Sequence, residues 1–270
     1  MYKILSFLLL LSALELSAFS DYDMDGVDDD VDQCPNTLMS ELADINGCTI
    51  KSLKSPHNFD IIVGLNFSQT SYEGLEKSDT TATSLQIDYY YKNFSMQAST
   101  SYYDSQSVAY NEDGMNDSFL GAYYKLSPVN KLDIRVGAGI IISTYDSTLN
   151  NNNSDYVASA NISYIFDQTN VFGGYSFTII NDDDIAGEIS YQNTNSYNAG
   201  IGFYPKDKLY LSASYNYSDS IYTDVQTIQT ASLYAFYNID ANWFTTFNYA
   251  YGLSESASDN YLSLRLGYYF

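Results

Sequence analysis

The carboxylates near the amino terminus are the first side chains that could do chemistry. Asp21, Asp23, Asp25, Asp29 and Asp32 occupy positions 1, 3, 5, 9 and 12 of one stretch, with Gly26 at position 6 and Val27 at position 7. Carboxylates so spaced wrap a chain round Ca2+, which takes about six to eight hard oxygens near 2.4 Å, position 7 supplying its backbone carbonyl. Gly26 allows the sharp turn that a side chain would obstruct. Without a cation these acids repel one another. The expected ligands are therefore Asp21, Asp23, Asp25, Val27, Asp29 and Asp32, with Ca2+ as the cofactor. Catalysis has no comparable set: the single His57 stands apart from any nucleophile, so an enzyme is not expected.

Cys34 and Cys48 are the only cysteines. In an exported chain they default to one disulfide, closing a loop of about 15 residues and stabilising it by about 3 kcal/mol in the chain-entropy model. Shared metal ligation is the poorer alternative, because only His57 is available to join two thiols. A piece this short cannot bury a core and needs such staples.

The run from Asp21 to Cys34-Pro35 resembles the thrombospondin type 3 repeat, and its continuation to Cys48 resembles the calcium-binding linkers of that type in bacterial outer-membrane proteins. The pattern departs at Leu38, where those linkers usually carry Pro. The resemblance covers about residues 21–50 and implies that the Asp side chains of this stretch hold calcium.

Elements to position these groups follow from composition and periodicity. Residues 1–20 read as a signal peptide: Lys3, an apolar run from Ile4 to Leu16, then the small residues Ala18 and Ser20. That run is shorter than the roughly 20 residues a spanning helix needs. The module would occupy 21–50, a linker 51–58 and a second domain 59–270. Net charge −22, with 33 acids against 11 scattered bases, excludes nucleic acid as a partner. The 29 Tyr outnumber 14 Phe, which suits strands and membrane interfaces.

From Phe59 onward the chain alternates. In residues 132–140 one face carries Leu132, Ile134, Val136, Ala138 and Ile140, the other Asp133, Arg135, Gly137 and Gly139. Segments of this kind recur near 59–70, 81–92, 94–104, 117–126, 131–144, 155–166, 171–180, 190–204, 208–218, 226–238, 242–253 and 259–270. Short turns alternate with longer loops, the rule of an antiparallel transmembrane β-barrel, here of about 12 strands. The long segments hold seventeen acids and one base, Lys77, whereas Lys51, Lys54, Lys92, Lys125, Lys131, Lys206 and Lys208 lie toward the short turns. A soluble sandwich has no reason to sort charge by end. The last strand, with Leu262, Leu264, Leu266, Tyr268 and Phe270 on one face, resembles the terminal strand of bacterial outer-membrane barrels. That resemblance implies recognition by the outer-membrane assembly machinery, a lipid and lipopolysaccharide surround, and a periplasmic N-terminal module.

The other face is small and polar, with Asn66, Ser84, Gln86, Ser99, Ser212, Ser214, Asn216 and Asn248, and its glycines leave volume for water. Asp60, Asp88, Lys125, Asp133, Arg135 and Arg265 are the expected lumen charges, able to pair across the interior or set a constriction. Inward Tyr90, Tyr123 and Tyr210 fill space or stack sugar rings. The expected function is a passive, cation-preferring channel for small solutes. The alternative is a non-conducting barrel serving adhesion or envelope integrity.

Overall fold

The computed structural model describes residues 27, 29, 31–34, 45, 46, 48, 56–71, 77–108, 111–145, 153–185 and 189–270. The chain divides into two compact units, Met1–Ser55 and Pro56–Phe270. In the first, Cys34 and Cys48 form the expected disulfide, with their Cα atoms 4.9 Å apart. A backbone bond from Gln33 N–H to the Asn46 carbonyl, 2.9 Å, lies beside it.

In the second unit, alternation of apolar and polar residues commits each segment to a strand with one greasy and one wet face. The strands are β1 (His57–Thr70), β2 (Ser78–Tyr91), β3 (Phe94–Ser107), β4 (Asn111–Met115), β5 (Ser118–Val129), β6 (Leu132–Ile142), β7 (Asp155–Phe166), β8 (Thr169–Ile179), β9 (Thr194–Lys206), β10 (Leu209–Ser218), β11 (Ile228–Asn238), β12 (Trp243–Gly252) and β13 (Asn260–Tyr269). All pairings are antiparallel between neighbours, and β1 pairs with β13 from Asp60↔Tyr269 to Gln69↔Asn260. That seam closes the sheet and removes its edges, as a transmembrane barrel requires.

The short β4 corrects the strand pattern without changing the count of walls. β5 pairs with the lower half of β3, Phe94↔Tyr124 to Ser99↔Phe119, and β4 with the upper half, Tyr102↔Met115 to Gln106↔Asn111. β4 and β5 thus form one wall strand interrupted at 116–117, and the closed barrel has twelve walls. The interruption has a polar cause: Asn116 donates its side-chain amide to Ser101 Oγ, and Asp117 accepts the backbone N–H groups of Thr144 and Tyr145.

Tight turns close one end. Lys92, Lys131 and Asp167 adopt φ of 52°, 77° and 57° there, the left-handed geometry that matches the twist of hairpin strands. At the 239–242 turn, Asp240 accepts the backbone N–H groups of Asn242 and Trp243. These bonds, the one from Trp243 first, hold the Asp240 carboxyl below its ordinary value of 3.8.

The outward face is apolar and exposed. Val63, Leu65, Ile162, Ile201, Leu233 and Leu264 are each at least half exposed, which suits lipid and not water. Aromatic side chains flank this aliphatic band at both ends: Phe59, Tyr91, Tyr164, Phe203, Tyr237 and Trp243 toward the tight turns, and Tyr102, Tyr156, Tyr197, Tyr215 and Tyr251 toward the long loops. Two such girdles mark two membrane–water interfaces. The chain is a transmembrane β-barrel.

Candidate functional site

Of the expected calcium ligands, Asp21, Asp23 and Asp25 lie outside the described residues. Val27, Asp29 and Asp32 are described; Asp32 Oδ1 accepts the Cys34 backbone N–H at 2.8 Å, and Asp32 Oδ2 is buried without a hydrogen-bond partner among the described residues. An unpartnered carboxylate oxygen is the donor chemistry a hard cation takes. Among the described residues, no three metal-ligating side chains converge.

The barrel interior is a second, larger site. Its middle is a cavity of about 970 Å³, walled by hydroxyl and amide side chains such as Ser84, Ser212, Ser214, Asn216, Thr246 and Asn248. Toward the long loops it adjoins a cavity of about 570 Å³, the two sharing Asn66, Ser101, Asp117 and Tyr261. Toward the tight turns it adjoins one of about 430 Å³, sharing Gln86, Tyr234, Thr246 and Arg265. Polar side chains here bond along the wall and not across it: Asn216 donates to Ser232 Oγ at 2.9 Å, and Asn170 to Ser163 Oγ at 2.6 Å.

The glycines of this face do not leave empty volume, as their size suggested. Phe172, Tyr123 and Phe244 stand directly opposite Gly200, Gly137 and Gly267 on the neighbouring strands. Each ring lies where the glycine's Cβ would be, within 2.1–2.3 Å of that position. Phe119 covers Gly121 and Gly139 in the same way, and Tyr210 covers Gly202. Glycine under a flat ring lets aromatic side chains line the wall instead of projecting into the bore, the pairing known to stabilise glycine in sheets. Tyr210 is fixed further by donating to Asn170 Oδ1 at 2.9 Å and by packing on Tyr204, 4.7 Å between centroids.

The six expected lumen charges all lie on the inward face, but they do not pair across the lumen. Lys125 and Asp133, on adjacent strands at the tight-turn end, form an ion pair of 3.0 Å, with Ser127 also donating to Asp133 at 2.6 Å. Arg135 stacks on Tyr123, 3.9 Å from ring centroid to guanidinium carbon. Arg265 donates to Gln86 Oε1. Asp60 and Asp88 stand directly opposite each other on β1 and β2, and among the described residues neither lies in an ion pair. Like charges in that relation destabilise a sheet, so the placement needs an explanation. Alternation put both on the polar face; only the register shows that they are neighbours.

At the long-loop end, several acids order the rim. Asp219 accepts both the backbone and side-chain N–H groups of Asn195 at 2.9 Å, and those bonds, the side-chain one first, hold its carboxyl below 3.8. Asp184 accepts the backbone N–H of Tyr191 at 2.8 Å. Asp182 lies the other way: burial first, then the charge of Asp155, raises its carboxyl above the ordinary value.

No protein-family model matches the sequence, and no curated protein matches it. Solved structures do. An outer membrane channel from Pseudomonas putida F1 superposes with a TM-score of 0.66 at 12% identity, over 79% of this chain and 95% of that one. The NanC porin does so at 0.56 and 13%, over 78% and 98%. The translocator domain of the autotransporter NalP from Neisseria meningitidis reaches 0.50 at 15%, over 82% and 91%. Identities this low establish the fold, an antiparallel barrel of the outer-membrane type, and leave function to the chemistry of the lumen.

Proposed function

We propose that the protein is an outer-membrane channel through which small hydrophilic solutes pass passively, with a preference for cations. One observation carries this reading: three adjoining cavities, each sharing wall residues with the next, run from the long-loop end of the bore to the tight-turn end. Hydroxyl and amide walls offer a passing solute replacement hydrogen bonds without trapping a charge. The acids of the long loops, opposed there by Lys77 alone, would raise the local concentration of cations at the entrance. Lipid and lipopolysaccharide would surround the outward band, and the strand ending at Phe270 would present the barrel to the assembly machinery.

The N-terminal module would hold Ca2+ in the periplasm through Asp21, Asp23, Asp25, Asp29, Asp32 and the Val27 carbonyl, the unpartnered Asp32 Oδ2 being one waiting donor. The test of the channel is single-channel recording of the refolded chain under a salt gradient. Stepwise currents with a reversal potential on the cation side support the reading, and a folded barrel that stays silent refutes it.

A further inference from the structure

The cavity at the tight-turn end holds two buried polar atoms of opposite character, neither with a hydrogen-bond partner among the described residues. One is Asp60 Oδ1, an anionic acceptor, and the other is Arg265 Nε, a cationic donor. Their other contacts hold them in place. Asp60 Oδ2 accepts the Tyr90 hydroxyl at 3.0 Å, Asp88 Oδ2 accepts the Gln86 amide at 2.6 Å, and the Gln86 carbonyl accepts the Arg265 guanidinium. Gly64 stands opposite Arg265, where a Cβ would come within 3.0 Å of Arg265 Cγ, so the glycine lets the arginine lie along the wall.

Asp60 is 9% exposed and Asp88 7%, and they face each other; among the described residues neither lies in an ion pair, and the guanidinium charges of Arg135 and Arg265 act on Asp88 rather than on Asp60. Leaving a buried charged group unsatisfied costs more than leaving a neutral one so. A group that brings positive charge to the aspartates and an acceptor to the arginine would satisfy both at once. A cation alone leaves Arg265 Nε unmatched. An anion alone meets two carboxylates. A sugar hydroxyl supplies both hydrogen-bonding senses but no positive charge for the Asp60 carboxylate.

From this we infer that the tight-turn end of the lumen is a subsite for zwitterions: α-amino acids or short peptides, with the ammonium at Asp60 and Asp88 and the carboxylate at Arg265. The inference rests on the channel reading and names its solute class. The cavity's volume of about 430 Å³ lies in the roughly 300–1,000 Å³ range of small-ligand sites. Beside the amides of Asn238 and Asn242, part of its wall suits an apolar side chain: Phe236 and Phe244 stack with centroids 5.4 Å apart, and Ile62 is buried on the same inward face as Asp60.

The test is calorimetric titration of the full chain, folded in detergent, with glycylleucine, with leucine amide (ammonium only), with N-acetylleucine (carboxylate only) and with a neutral disaccharide. Glycylleucine should bind saturably and at least tenfold more tightly than the other three. Asp60→Asn with Asp88→Asn should weaken it at least tenfold while the barrel keeps its heat-modifiable migration. Should that double variant not fold, the comparison of the four solutes on the unaltered chain still decides. Equal binding of glycylleucine and leucine amide, no binding of glycylleucine, or binding unchanged in the folded double variant would overturn the subsite. A barrel that binds glycylleucine yet conducts nothing would refute the channel and leave the subsite standing, whereas conduction without binding would do the reverse.

Discussion

Gly202→Ala is the perturbation that most sharply tests how the bore is kept clear. A methyl at this position would sit 2.1 Å from the Tyr210 hydroxyl oxygen and 2.4 Å from two ring carbons. Carbon atoms settle at about 3.5–4.0 Å, so the ring must retreat by roughly 1.5 Å, and lumen is the space it can enter. Tyr210 starts 2.9 Å from Asn170 Oδ1, and a displacement of that size takes it beyond hydrogen-bonding range. Overpacking costs about 1–3 kcal/mol; water in the lumen replaces much of the lost hydrogen bond, so the sum stays near that range. The expected outcome is a lower heat-denaturation midpoint together with reduced single-channel conductance. In a double-mutant cycle with Tyr210→Ala most of the penalty of Gly202→Ala should vanish, since the three atoms nearest the new methyl all belong to Tyr210. Full stability and unreduced conductance in Gly202→Ala would refute the reasoning, as would a penalty undiminished by removal of the ring.

Other outcomes follow from the same structure. Asp133→Asn should change barrel stability by less than about 1 kcal/mol in denaturant titration, because the Lys125–Asp133 pair has side chains 53% and 37% exposed and is screened by solvent. The depressed Asp219 carboxyl contributes stability that is fully present above its ordinary 3.8 and is lost as pH falls through its lower folded value. Asp219→Asn should therefore blunt acid-induced exposure of the 219–227 loop to proteolysis, and an unchanged acid profile would count against those bonds. Replacing Cys34 and Cys48 by Ser should cost the N-terminal module about 3 kcal/mol and leave the melting of the Pro56–Phe270 unit unchanged, as read by hydrogen exchange. Asp25→Asn with Asp32→Asn should abolish calcium-dependent protection of the module; persistence of that protection would remove the ligand assignment.

Most of the wall was legible from alternation, because a period of two commits a segment to a strand and assigns every residue to a face. The predicted 155–166 segment coincides with β7, and most other ends shift by one to four residues. What alternation cannot carry is register. That Asp60 meets Asp88, or that Phe244 covers Gly267, depends on how far one strand slides along the next. Periodicity also missed β4, since Asn-Glu-Asp-Gly-Met has no apolar face and reads as loop; it is a strand only because β3 extends to Ser107 and offers a partner. Phe236 and Tyr234 share the inward face by the same alternation, but that they line one cavity with Asp60 and Arg265 depends on register as well.

The central claim is an aqueous path through the barrel, and cysteine accessibility tests it most directly. Both native cysteines are held in a disulfide, so an introduced thiol is the only free one. Ser214 lines the middle cavity, and its neighbour Ala213 occupies the opposite, lipid-facing side of β10. A positively charged thiol-specific reagent added to the bath should reduce the conductance of Ser214→Cys in discrete steps and leave Ala213→Cys untouched. An unmodified, unblocked Ser214→Cys would contradict the account.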